Sequence, residues 1–224
     1  MMTINNGINR TTKWLLACGQ IGCILFILMF LIQGQLRDAY SPLKFPISSL
    51  SIGNWGWIQI TNFLISGTLI FLFAIGFRRA TPLLKNSLWT SRLIAAVGLG
   101  LFGAGLFSSD PIYGYPITEP IRIAQFTITG HLHDFFSILV FVCLPICCFK
   151  MINRFKEFNN KKWATYTLIS VKGMLTCFII AAAGFKQVSG LVELAGIFQR
   201  LTIIFGFVWL TALSRLIIKA SIQI

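Results

Sequence analysis

Charge is what this sequence has least of. Charged residues fill 11% of its 224 positions and hydrophobic ones 56%. That leaves too little polar surface to cover a water-soluble globule, so the soluble class is excluded. Acids are scarcer still, six against nineteen bases, and there are two histidines. No polar block is long enough to fold apart from the apolar runs, which leaves one integral membrane domain over residues 1–224. Cysteine is missing from every polar connection: Cys18, Cys23, Cys143, Cys147, Cys148 and Cys177 all lie inside apolar runs, as small buried hydrophobes and not as a disulfide framework. The long-spaced ligand signatures of a zinc site are absent too, and no cofactor is expected. Nor is there an evident inverted repeat or an acid deep within an apolar run, which counts against a small transporter or proton path.

What is present is apolar length. A bilayer core of about 30 Å takes roughly 20 apolar residues as a helix. Six segments qualify, approximately 14–33, 57–77, 91–107, 131–149, 164–184 and 197–218. An all-α bundle of six membrane helices follows, because a barrel needs shorter alternating strands. The third segment carries a stripe of small residues, Ala96, Gly100 and Ala104, suited to close helix packing, and Gly173 with Ala181 to Gly184 offers the same in the fifth.

The bases are unevenly placed. Thirteen fall at the two termini and in the second and fourth connections (Arg10, Lys13, Arg78, Arg79, Lys85, Arg92, Lys150, Arg154, Lys156, Lys161, Lys162, Arg215, Lys219), and four fall on the other side (Arg37, Lys44, Arg122, Lys186). Basic residues resist translocation, so both termini are expected in the cytoplasm of a bacterial cell, with the chain in its cytoplasmic membrane. The same distribution, in short clusters between spans, argues against nucleic-acid binding.

Polar chemistry gathers at the opposite, outer side. In "SPLKFPISSLSIGNWGWIQITNF" the prolines resist helix, Gly53 and Gly56 frame a turn or re-entrant dip, and Trp57 suits an interfacial aromatic belt. Gln59 and Asn62 enter the second span, where hydrogen bonding between helices is the plain reading and ligand contact the sharper one. In "GLFSSDPIYGYPITEP" Asp110 stands before a proline, either capping a turn or holding a carboxylate over the bundle. "GHLHDFF" places His131, His133 and Asp134 at the mouth of the fourth span. If helical, His131 and Asp134 share a face and His133 is turned about 200° away; if extended, both imidazoles share a side, which favours a metal. A metal still needs a third ligand, from Asp110 or Asp134. Simple polarity, with Thr129 capping the helix, is the bland alternative. In "ELAGIFQRLT" Gln199 and Arg200 lie just inside the last span, and an intramembrane arginine seeks a partner: Glu193, Asp110, Asp134, or an anionic ligand. Lys172, within the fifth span, has a stem long enough to reach the interface and is left out of the site.

The order "SLSIGNWGWIQITNF", "GLFSSDP" with "YGYP", "GHLHDFFS" and "FQRL" resembles the DUF998 family of bacterial six-span membrane proteins over nearly the whole chain. The resemblance implies a compact helical bundle with outer motifs at Trp57, Asp110, His131, His133, Asp134 and Arg200. It implies no activity. Where the family's pattern tends to carry an acid, this chain has Asn54, so no carboxylate acts there.

Three readings remain open. In the leading one, an outward-facing site binds or acts on a membrane lipid, a lipid-linked molecule or another amphiphile. His131, Asp134 and Asp110 are the catalytic candidates there, and Arg200, His133, Gln199, Trp57 and Gln59 the binding ones. In the second, the same residues tie helix ends together in a non-enzymatic scaffold or partner-binding subunit. A transporter is the third.

Overall fold

The computed structural model describes residues 8–80, 88–112, 115–116 and 127–220. Lys85, Glu119 and Arg122 lie outside these residues. Six long helices form: α1 (Arg10–Leu36), α2 (Gly56–Ala80), α3 (Leu88–Leu106), α4 (Ile128–Glu157), α5 (Lys161–Phe185) and α6 (Ala195–Ala220). All six membrane crossings are long and apolar enough to span a bilayer, and the chain is a multi-pass membrane protein. The helices overrun most of the expected spans because their backbone stays hydrogen-bonded beyond the apolar core. Two short 3-10 helices, Ile47–Ser51 and Val192–Leu194, precede α2 and α6. The first is a departure from the sequence reading: Pro46 serves as its N-cap instead of excluding helix from the connection.

Each helix packs on the next and α6 returns to α1, closing a ring. Phe26 of α1 fills the middle, with Phe63 of α2 at 5.3 Å and Phe207 of α6 at 5.4 Å between ring centroids. Without water competing for apolar surface, helix association depends on close packing. It is tightest between α2 and α3. A Cβ on Gly67 would lie 2.6 Å from the amide nitrogen of Phe102, and one on Gly98 the same distance from that of Phe71, so glycine is needed on both sides of this crossing. The expected small stripe of α3 instead serves α4, where Gly100 approaches the carbonyl of Phe136; Ala104 is buried and Ala96 half-buried. Gly173 packs against the Phe205 ring of α6. All six cysteines are free thiols within the helices.

The two ends of the ring differ. The basic end carries the termini and the α2–α3 and α4–α5 connections; the distal end carries the α1–α2, α3–α4 and α5–α6 connections.

Candidate functional site at the distal end

Irregular backbone at a membrane boundary has little water to satisfy it, so every turn needs side chains to complete its hydrogen bonds. The α1–α2 connection, residues 37–55, sets this problem because it folds inward: Leu50 and Ser49 are almost wholly buried. Arg37 donates from Nη1 to Ile52 O (3.1 Å) and from Nη2 to Leu50 O (2.9 Å). Tyr40 donates from its hydroxyl to Pro46 O at 2.8 Å, and burial pushes its phenol up to about 12, with Arg200 opposing the shift. From the α3–α4 side, Ser109 Oγ donates to Ser48 O at 3.2 Å, and the Tyr115 ring packs 5.3 Å from both Tyr40 and Phe45.

Arg200 supplies the centre of this arrangement. It is 1% exposed, and its Nη1 donates to Pro42 O (2.6 Å), Phe45 O (2.9 Å) and Gly196 O (3.0 Å), while Nη2 meets the Tyr40 hydroxyl. The guanidinium also lies 5.5 Å from the Tyr40 ring centroid and 6.0 Å from that of Phe30. Arg200 meets none of the carboxylate partners expected from the sequence: Glu193 pairs with Lys44 at 2.8 Å, Asp110 bonds Thr127, and Asp134 stands on the exposed face of α4. Neutral carbonyls replace them because the folded-in loop brings several to one point. The loop approaches closely at Gly196, whose Cβ would lie 2.7 Å from Pro42 O. Gln199, one residue before Arg200, accepts from Ile47 N at 2.8 Å and so satisfies the amide that opens the first 3-10 helix.

The α4 mouth is helical, which settles the geometry of "GHLHDFF". Its N-cap is Thr127, not Thr129: the Thr127 hydroxyl accepts from Gly130 N at 3.0 Å and donates to Asp110 Oδ1 at 2.6 Å. Asp110 Oδ2 accepts from Thr127 N at 2.9 Å, placing a carboxylate against the positive end of the α4 dipole. A Cβ on Gly130 would collide with that carboxylate. His133, 2% exposed, turns into the bundle, where its Nδ1 lies 2.9 Å from Ala104 O and 3.0 Å from Phe107 O. Both acceptors are carbonyls at the C-terminal end of α3, so Nδ1 carries the proton and the imidazole closes that helix from outside.

His131 and Asp134 stand on the opposite, exposed face. Phe135, Ile138 and Val142 continue it, so one exposed stripe of α4 has a polar head and an apolar tail. Trp57, 59% exposed, lies at the start of α2. Gln59 is fully buried, and its Oε1 accepts from Gln33 Nε2 at 2.9 Å and Asn62 Nδ2 at 3.3 Å, a bond between α1 and α2. Among the described residues, no three His, Cys, Asp or Glu side chains converge as metal ligands.

Thus the structure joins Arg200 and Gln199 to one loop and Asp110 and His133 to the α3–α4 junction, and it leaves His131 and Asp134 on one exposed face of α4. Tyr40 and Arg37 were missed in the sequence. Their only local signal is the spacing in "RDAYSP", a cation and a phenol either side of a turn.

Comparison with known families decides the relationship. Residues 20–216 match the family model described as protein of unknown function (DUF998). The chain belongs to the DUF998 family. The match reaches from α1 into α6, so this DUF998 chain carries the distal loops and the ring of helices within one family unit. Comparison with curated proteins and with solved structures finds no match.

Proposed function

We propose that this protein resides in the bacterial cytoplasmic membrane, with both termini in the cytoplasm, and binds a lipid-linked or other amphiphilic molecule along the exposed stripe of α4. His131 and Asp134 meet the polar head, and Phe135, Ile138 and Val142 receive the chain. Arg200, Gln199, His133 and Asp110 are positioning residues in this reading, because each is already bonded to backbone or to the α4 cap. The observation that carries it is the order of side chains on one exposed face, polar for one turn and apolar for the next two. A helix in contact with lipid alone gains nothing from a histidine and an aspartate there, and both are costly if drawn into hydrocarbon.

The test is a photoreactive residue in place of Ile138, irradiated in native membranes, with the adduct identified by mass spectrometry. A lipid-mass adduct that is lost in His131→Ala with Asp134→Asn supports the reading. An unchanged adduct in that variant removes the polar head from it. A peptide adduct would favour the second reading, a partner-binding subunit, to which the thorough engagement of Asp110, His133 and Arg200 with structure already lends weight.

A further inference from the structure

At the basic end, far from the α4 stripe's polar head, α5 and α6 form an open groove of about 340 Å³ lined by Lys162, Trp163, Tyr166 and Ala212. Its walls are held in place. The Trp163 ring packs on Phe155 at 5.6 Å and on Tyr166 at 5.4 Å, and its amide bonds to the Asn160 cap at 3.2 Å. Just deeper in the membrane, Trp209 Nε1 donates to Thr167 Oγ at 3.0 Å and pins the two helices together. Ala212 follows Trp209 by one turn, and its small side chain leaves the space open. The result is a wedge with an apolar, aromatic interior and a cation at its mouth.

The charges on α5 and α6, the groove's own helices, have one sign. Lys161 is exposed beside Lys162, and Lys219 is exposed on the face of α6 that carries Ala212, two turns nearer the end. Lys172 is exposed halfway along α5, and a helical side chain leans towards its helix N-terminus, which here is the basic end. Glu157, the acid that ends α4, is bound to Arg154. The volume is at the lower end of the ligand-cleft range, roughly 300–1,000 Å³. Basic grooves between membrane helices, with Trp and Tyr at headgroup depth, suit phosphate headgroups.

We infer that this groove holds an anionic phospholipid of the adjacent leaflet, its phosphate on Lys162 and one acyl chain between Trp163, Tyr166 and Ala212. The inference is independent of the α4 reading and of which way the bundle is threaded.

Native mass spectrometry of the full chain, with phosphatidylglycerol and phosphatidylcholine titrated separately, tests it. The native protein should retain phosphatidylglycerol about fivefold better, the effect of roughly one lysine at the surface. Lys162→Gln should lower phosphatidylglycerol retention more than that of phosphatidylcholine, which shares the phosphate but not the net charge, and so remove the preference. Ala212→Leu, which fills the groove without altering charge, should lower retention of both. Arg79→Gln makes the same charge change at the same end but on α2, across the ring, and should leave both unaltered. Equal retention of the two lipids by the native chain would overturn the inference. So would equal losses in Lys162→Gln and Arg79→Gln, which mean diffuse attraction, or unchanged retention in Ala212→Leu.

Discussion

Replacing Arg200 by Met keeps a long unbranched side chain in the same space and removes every donated hydrogen bond. Gly196 O, a carbonyl inside α6, keeps its helical amide, while Phe45 O is left with only a long 3.2 Å share of the Tyr40 hydroxyl proton, which goes mainly to Pro46 O at 2.8 Å. Pro42 O, only part-buried, loses its 2.6 Å partner, a cost of about 1 kcal/mol, at the low end of that for an unsatisfied carbonyl. The loss of charge-assisted bonds adds about 1.5–3 kcal/mol, and relief from holding an unpaired cation away from water returns part of it. A net loss of about 2–4 kcal/mol is therefore expected, with Arg200→Lys losing about half as much, because its point charge reaches fewer carbonyls. Thermal unfolding in one detergent gives the stability difference. Hydrogen exchange over residues 43–52 reports the loop itself, and Ile47 N should open first, since its acceptor Gln199 adjoins the altered position. An Arg200→Met protein that melts with the native one, its loop amides exchanging at native rates, would refute the clamp.

Two further outcomes follow from the same geometry. Gly130→Ala should displace the Asp110 carboxylate from the α4 cap, costing about 1–2 kcal/mol, and Asp110→Ala in that background should cost little more; full additivity in unfolding measurements would mean the two sites are not coupled. The folded-state pKa of Tyr40, about 12, lies above that of an exposed phenol, so the neutral form is the one the fold favours. Its contribution should be complete below about pH 10 and lost as pH rises through 12, and stability measured across that window should fall less steeply in Tyr40→Phe.

The six helices were legible because each needs only length and apolarity, and those are local properties. For "GHLHDFF" the sequence left helical and extended geometries open; once the segment is helical, the period alone sets His131 and Asp134 apart from His133. What periodicity did not reveal is which of those two faces looked inward. That depends on α3 ending with unsatisfied carbonyls at Ala104 and Phe107, close enough for an imidazole to reach. The Arg200 partners were illegible for a related reason. A sequence suggests acids as partners for a cation, but the carbonyls of Pro42 and Phe45 converge only when the loop has folded inward over Gly196. Capping by Thr127 in place of Thr129 turned on two residues' difference in where α4 begins, fixed by the Asp110 contact from the α3–α4 connection. Backbone groups thus took up most of the polar side chains that the sequence had offered as a site.

Threading underlies the placement of the α4 stripe in the outer leaflet, and thiol labelling measures it directly. The native cysteines all lie within helices, so single additions at exposed connections, Val188→Cys between α5 and α6 and Phe158→Cys between α4 and α5, report opposite ends. With a membrane-impermeant maleimide, Val188→Cys should label in intact cells and Phe158→Cys only after permeabilisation. The reverse pattern would put His131 and Asp134 at the cytoplasmic face and contradict the account.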